Sequence, residues 1–62
     1  MLDRLYKIPE VAQLLGLSRS FVYQLIRKGE MPAVRFRSSV RVRPEDLEKY
    51  VKASVINSVG DA

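Results

Sequence analysis

The sequence predicts one mainly α-helical domain with a small β-hairpin between its second and third helices. Three observations carry that expectation. Two short apolar stripes at helical spacing flank a glycine turn, the period changes to two after Ala33, and a third stripe follows Pro44. At 62 residues the chain is too short for two cores. A fold of this size buries about 60% of the surface its unfolded chain exposes, so modest stability is expected.

The first helix is expected where Ile8, Val11, Ala12 and Leu15 recur at i, i+3, i+4 and i+7. Pro9 suits its first turn, where a helix leaves N–H groups unpaired, and Gly16 suits the position after its end. Ser18 is placed to cap a second helix that Gly29 would stop. Two short helices joined by a glycine-containing turn form the helix-turn-helix pattern.

Taking about 100° per residue, Phe21, Val22, Leu25 and Ile26 fall within roughly 140° of arc and are assigned to the core. Opposite them lie Ser20, Tyr23, Gln24 and Arg27, with Arg19 at the edge and Lys28 just beyond. This face offers positive charge and hydrogen-bonding groups without a carboxylate. Solvated helix faces commonly mix both signs, so the pattern fits a polyanionic partner better than simple solubility.

In the hairpin, Val34 and Phe36 alternate with Arg35 and Arg37, and Val40 and Val42 with Arg41 and Arg43. A tight turn at Ser38 and Ser39 would join the two strands, giving an apolar face for the helices and an arginine face for solvent. An isolated ribbon is marginal, so Val34, Phe36, Val40 and Val42 are expected to pack on the helices. The arginines have two readings, phosphate contact and protection of an exposed strand edge by charge.

Pro44 can open the third helix, where Glu45, Asp46 and Glu48 sit near the positive end of the macrodipole and Lys49 and Lys52 toward the negative end. Leu47, Tyr50 and Val51 form its inward stripe, and its charges read as structural. Residues 1–52 are therefore expected to form the domain and 53–62 a tail. There, Val55, Ile56 and Val59 could extend the helix, touch a second copy or an integrase, or fray.

The chain has no Cys, His or Trp. That removes thiolate and imidazole metal ligands, a cysteine nucleophile and the usual proton shuttle, so neither catalysis nor a cofactor or metal is expected. No apolar run reaches the ~18 residues that span a bilayer, and no hydrophobic signal region opens the chain, so a cytoplasmic location in a bacterial cell is expected. The net charge of +4 is unevenly placed. From Ser18 to Arg43 seven basic residues face Glu30 alone, a local excess of six, whereas the remaining residues carry a slight acidic excess.

The block YKIPEVAQLLGLSRSFVYQLIRKGEMPAVRFRSSVRVRPEDLEKYV, Tyr6 to Val51, resembles the small excisionase-type (Xis), MerR-related winged helix-turn-helix proteins. Its most specific part is GLSRSFVYQLIRKGEMPAVR. The resemblance implies a phage or integrative-element excisionase, or recombination directionality factor, or else a small MerR-like transcriptional regulator, acting by DNA binding and bending. It implies that Arg19, Ser20, Tyr23 and Gln24 enter a major groove, that Arg27 and Lys28 meet backbone, and that the wing reaches an adjacent minor groove. Double-stranded DNA, a site-specific integrase and further copies of the chain are the implied partners.

Two positions depart from the family pattern. The wing tip reads Arg37-Ser38-Ser39 where many relatives have glycine followed by two basic residues, which shifts the expected contact to Arg35, Arg37 and Arg41. Phe21 stands where a small polar residue is common. Tyr23 has two readings, with its ring against the wing or its side chain on DNA. A basic face would also suit an acidic protein, and charge alone does not separate that module from a DNA binder.

Overall fold

In the computed structural model, which describes residues 4–56, two glycines end the first two helices by the same device. Helix α1 (Ile8–Leu15) stops at Gly16, whose φ of 69° is left-handed, and helix α2 (Arg19–Arg27) is followed by Gly29 at φ 78°. The residue after each glycine donates its N–H back across the last turn, Leu17 to the Ala12 carbonyl and Glu30 to the Leu25 carbonyl, both at 2.9 Å. This is the Schellman arrangement, and a residue with a Cβ would be strained at either glycine. Between the helices, the Ser18 hydroxyl accepts the Phe21 N–H at 3.1 Å and so caps α2.

Strands β1 (Tyr6–Lys7), β2 (Val34–Phe36) and β3 (Ser39–Val42) form an antiparallel sheet in the order β1-β3-β2, and helix α3 (Pro44–Ala53) follows. The hairpin of β2 and β3 thus gains a third strand that the sequence reading did not include. A two-residue strand is too short to show a period, which is why Tyr6 and Lys7 gave no signal.

Ile8, Val11 and Ala12 of α1, Val22 and Leu25 of α2, Met31 of the connection, Val42 of β3 and Leu47 of α3 form one buried cluster. Burying each of the larger aliphatic members contributes roughly 1.5–3 kcal/mol. Tyr6, Leu15, Leu17, Ile26, Ala33, Val40 and Tyr50 pack around it. Met31 is fully buried although it lies in a connection, where periodicity is silent.

The hairpin register overturns part of the sequence reading. Phe36 pairs with Ser39, Arg35 with Val40 and Val34 with Arg41, so the turn is Arg37-Ser38 and Ser39 belongs to β3. Paired residues share a face. A two-residue turn therefore pairs even positions of one strand with odd positions of the other, and the four arginines cannot all face one way. Arg35 shares the inner face with Val40, Val42 and Tyr6, whereas Phe36 and Val34 share the outer face with Ser39, Arg41 and Lys7. Phe36 is accordingly 49% exposed rather than in the core.

Phe21 and Val51 are also exposed, against expectation. Phe21 and Ile26 each lie roughly 70° around α2 from the direction midway between Val22 and Leu25. Ile26 lies on the side where Ala33 and Val40 of the hairpin region partly cover it, whereas Phe21 lies on the other side and is exposed. In α3 the buried positions are Asp46 and Leu47, one turn earlier than Val51. Asp46 is buried because Arg43 holds it with two hydrogen bonds, the Nη2–Oδ1 one at 3.1 Å. Helix α3 ends at Ala53, so Val55 and Ile56 do not extend it, and Val59 lies outside the described residues.

Arg37 occupies the wing turn at φ 57°, a conformation that costs a non-glycine residue roughly 1–2 kcal/mol. Arg37→Gly relieves that strain but loosens the unfolded chain, so a net gain of about 0.5–1 kcal/mol is expected. Thermal unfolding followed by circular dichroism should show a midpoint a few degrees higher, and an unchanged or lower midpoint would refute the strain.

Glu10 accepts the Lys7 N–H at 2.9 Å and pairs with Arg4 at the start of α1. That backbone hydrogen bond, aided by the charges of Arg4 and Lys7, holds its carboxyl below the ordinary value of 4.5 against an opposing desolvation. The folded chain thus binds this proton less tightly than the unfolded chain does. The resulting stabilisation is complete above that ordinary value and disappears as pH falls through the lowered one. Glu10→Gln should shrink the loss of urea resistance as pH falls through 4.5 and below. An unaltered acid limb would show that Glu10 contributes nothing there.

Candidate nucleic-acid interface

The buried side of α2 determines what its other side presents. With Val22 and Leu25 in the core, Ser20, Tyr23, Gln24 and Arg27 point away from it, Arg19 flanks them and Lys28 follows at the helix end. All six side chains are exposed, as is that of Ser18, whose oxygen is engaged by the helix cap.

The basic residues of the central segment fall into two groups. Arg43 is engaged by Asp46 and lies 3.9 Å from Glu45, and its pKa is raised first by the Asp46 hydrogen bond and then by the nearby carboxylate charges. Arg41 is half-buried, and its guanidinium donates to the Val40 carbonyl at 2.9 Å. Arg19, Arg27, Lys28, Arg35 and Arg37 form no ion pair among the described residues. These five are the exposed, unpaired cations of the segment from Ser18 to Arg43.

Helix α2 and the hairpin meet across an open groove of about 380 Å³ lined by Tyr23, Ile26, Arg27, Ala33, Val34, Arg35 and Val40. Arg27 and Arg35 come to this groove from different elements. Arg35 reaches it because the register turns it to the inner side of the sheet, beyond the part covered by the core. Tyr23 also lines the groove and is 43% exposed, so its ring lies beside the wing while part of it remains open to a ligand.

The sequence-predicted residues therefore form two neighbouring clusters rather than one. Arg19, Ser20, Tyr23, Gln24, Arg27, Lys28 and Arg35 belong to the helix and groove. Arg37 and Ser38 form the hairpin tip, with Ser39 and Arg41 on the outer face of the sheet. The exposed rings of Phe21 and Phe36 were missed as surface features. The Arg37-Ser38 turn, with its parity change, is the signal that would have exposed Phe36.

Arg and Gln side chains on such a helix can read base edges, whereas Arg and Lys at its end and on the wing can neutralise phosphates. Among the described residues there is no group of three His, Cys, Asp or Glu side chains placed to hold a metal. No helix among them is long and apolar enough to cross a membrane.

Comparison with known proteins places this geometry in a family. The family model described as the helix-turn-helix domain matches residues 5–54. The uncharacterised Bacillus subtilis protein YvgK is 51% identical over 45 residues, which make up 73% of this chain and 15% of YvgK. ORF88 of enterobacteria phage P4, also uncharacterised, is 60% identical over 30 residues, 48% of this chain and 34% of ORF88. A Mycobacterium tuberculosis protein whose name provisionally assigns it DNA binding is 34% identical over 55 residues, 89% of this chain and 70% of its own length. No solved structure matches. With a capped second helix, a basic outer face and a family match across residues 5–54, the chain belongs to the helix-turn-helix domain family, whose DNA-binding members place the second helix in the major groove.

Proposed function

We propose that this protein is a non-enzymatic, sequence-specific DNA-binding excisionase, a recombination directionality factor. It binds repeated sites beside an attachment site, bends the DNA and assists a separate integrase in excision. The observation that carries the DNA reading is the acid-free face of α2, whose Arg19, Arg27 and Lys28 form no ion pair among the described residues, with Arg27 meeting the equally unpaired Arg35 across one groove. The excisionase role draws support from the resemblance of Tyr6 to Val51 to excisionases and from the 60% identity with a protein of a phage.

A second reading, a small MerR-like transcriptional regulator, uses the same surface. The match to 15% of the uncharacterised YvgK shows a similar unit within a much longer protein and does not separate the two readings. Sequence choice lies mainly with Arg19, Ser20, Tyr23 and Gln24 in the major groove, and Arg27, Lys28 and Arg35 grip phosphates. A single small module has a limited footprint, so several copies on repeated sites, or an integrase held nearby, supply the remaining specificity.

Footprinting of a titration across the DNA flanking its gene, at two salt concentrations, tests this reading. Regularly spaced protected repeats beside an integrase core site, with a raised excision-to-integration ratio in a reconstituted integrase reaction, are expected. One isolated promoter site with an unchanged ratio would move the assignment to the regulator. No protection at either salt would move it to a module for acidic proteins.

On a protected site, Arg19→Ala combined with Gln24→Ala should cut discrimination against mismatched sites by at least about tenfold, since each bidentate base contact contributes about 1–3 kcal/mol. Arg27→Ala should instead weaken all sequences alike and lower the slope of log affinity against log salt by about 1. Gel-shift titrations read both quantities, and interchange of the two behaviours would reverse the assigned roles.

A further inference from the structure

Five aromatic residues are present, and their exposure divides them. Tyr6 and Tyr50 pack against the core. Phe21, Tyr23 and Phe36 are 42%, 43% and 49% exposed, and all three lie on the elements that carry the unpaired arginines. Of these, Phe36 is the most exposed.

Phe36 forms the last rung of the hairpin, opposite Ser39 and immediately before the Arg37-Ser38 turn. The register places its ring on the face opposite Val40 and Val42, away from the helices. Its neighbours in sequence, Arg35 and Arg37, form no ion pair among the described residues. Arg37 holds a left-handed conformation that glycine would adopt without strain, so the tip keeps a cation at an energetic cost. An apolar ring beside one available cation, Arg37, on a narrow tip matches a surface with negative walls and apolar base faces between them. The minor groove of DNA, about 6 Å wide, offers that combination once a base step opens, since phosphates line it, its floor presents acceptor edges and the faces of its stacked base pairs are apolar.

We infer that Phe36 is a wedge: with α2 in the major groove, the hairpin tip enters the adjacent minor groove and the Phe36 ring inserts partway between two base pairs, opening the step and bending the duplex. Arg37 holds a flanking phosphate or the groove edge, Arg35 stays with the groove beside α2, and no covalent change is involved. Strand geometry advances about 3.3 Å per residue, so Phe36 stands one such step, and the turn two to three, beyond Arg35 in the groove shared with α2. Narrow A·T tracts attract arginine through their enhanced negative potential, and pyrimidine–purine steps open most readily. The preferred target is therefore a TA step within A·T-rich sequence. Apolar wedges at such steps are a general means of bending DNA toward the major groove.

The inference rests on the DNA-binding reading, and its test keeps the two apart. The full chain and its Phe36→Ala and Phe36→Leu variants are titrated onto a footprinted site. Bending is followed by end-to-end fluorescence transfer, and stacking by 2-aminopurine placed in turn at each minor-groove step beside the α2 contact. The wild-type chain should bend the site and raise 2-aminopurine emission severalfold at one step. Phe36→Ala should keep the footprint and salt slope of α2 while losing most of the bend and the emission, with about tenfold weaker binding. Phe36→Leu, still an apolar wedge, should retain most of both signals.

A Phe36→Ala protein that bends and unstacks as the wild type does would overturn the inference. So would a wild-type complex that bends without any unstacked step, which would place the ring on the backbone. Should Phe36→Ala lose its helical circular dichroism, Phe36→Gln, polar and of comparable reach, replaces it with the same expected losses. A wild-type chain that protects no DNA refutes the DNA-binding reading itself, and the wedge with it.

Discussion

A helix of nine residues cannot hold its shape alone in water, because helices shorter than about 12–15 residues are marginal even with favourable composition. The α2 helix therefore depends on the burial of Val22 and Leu25 against α1 and Met31, and everything exposed on α2 depends on that docking. The two left-handed glycines and the Ser18 cap make it possible by letting the chain enter and leave the helix abruptly. A face held from behind by two side chains and at both ends by its caps is pre-organised for a ligand. Less side-chain and backbone order then remains to be imposed on binding.

The sheet contributes to the same docking. Its central strand β3 is paired on both edges, and Val42 carries it into the core beside α1. The β2 edge has no strand beyond it among the described residues, and it carries Arg35 and the hairpin tip outward. A free edge rich in arginine resists pairing with another chain, so charge protection and phosphate binding are compatible uses of the same residues. The strain at Arg37 fits this picture, for a turn selected only for stability would have glycine there.

The helical frame was legible in the sequence because its signals are local. Ser18, Pro9, Pro44 and the two glycines act through their own backbone or the next turn, and the 3.6-residue period of Ile8, Val11, Ala12, Val22 and Leu25 stands out over two helices. What was not legible depends on distance in the chain. The width of the buried arc on α2, narrower than the apolar arc, depends on how closely α1 and Met31 approach, so Phe21 was misplaced. The hairpin faces depend on a single step of register, which alternation cannot supply, because V-R-F-R and V-R-V-R look in phase whether or not the turn keeps them so. Likewise, nothing in the run of basic residues separates Arg43, bound to Asp46, from Arg27 or Arg35.

That separation changes the electrostatic argument. Seven basic residues between Ser18 and Arg43 give that segment a local excess of six, which the sequence divides between a helix face and a wing without saying which charges are free. With Arg43 engaged by Asp46 and Arg41 turned to a backbone carbonyl, five cations remain, and they divide between a helix-and-groove cluster and the hairpin tip. A positive helix-and-groove cluster beside a positive hairpin tip suits a ligand whose negative charge is itself arranged in rows, such as duplex DNA. A broad even stripe would grip any polyanion. The division of charge, more than its amount, therefore favours a duplex over an acidic protein or a flexible single strand, and it follows from one two-residue turn that sends Arg35 inward and Phe36 outward.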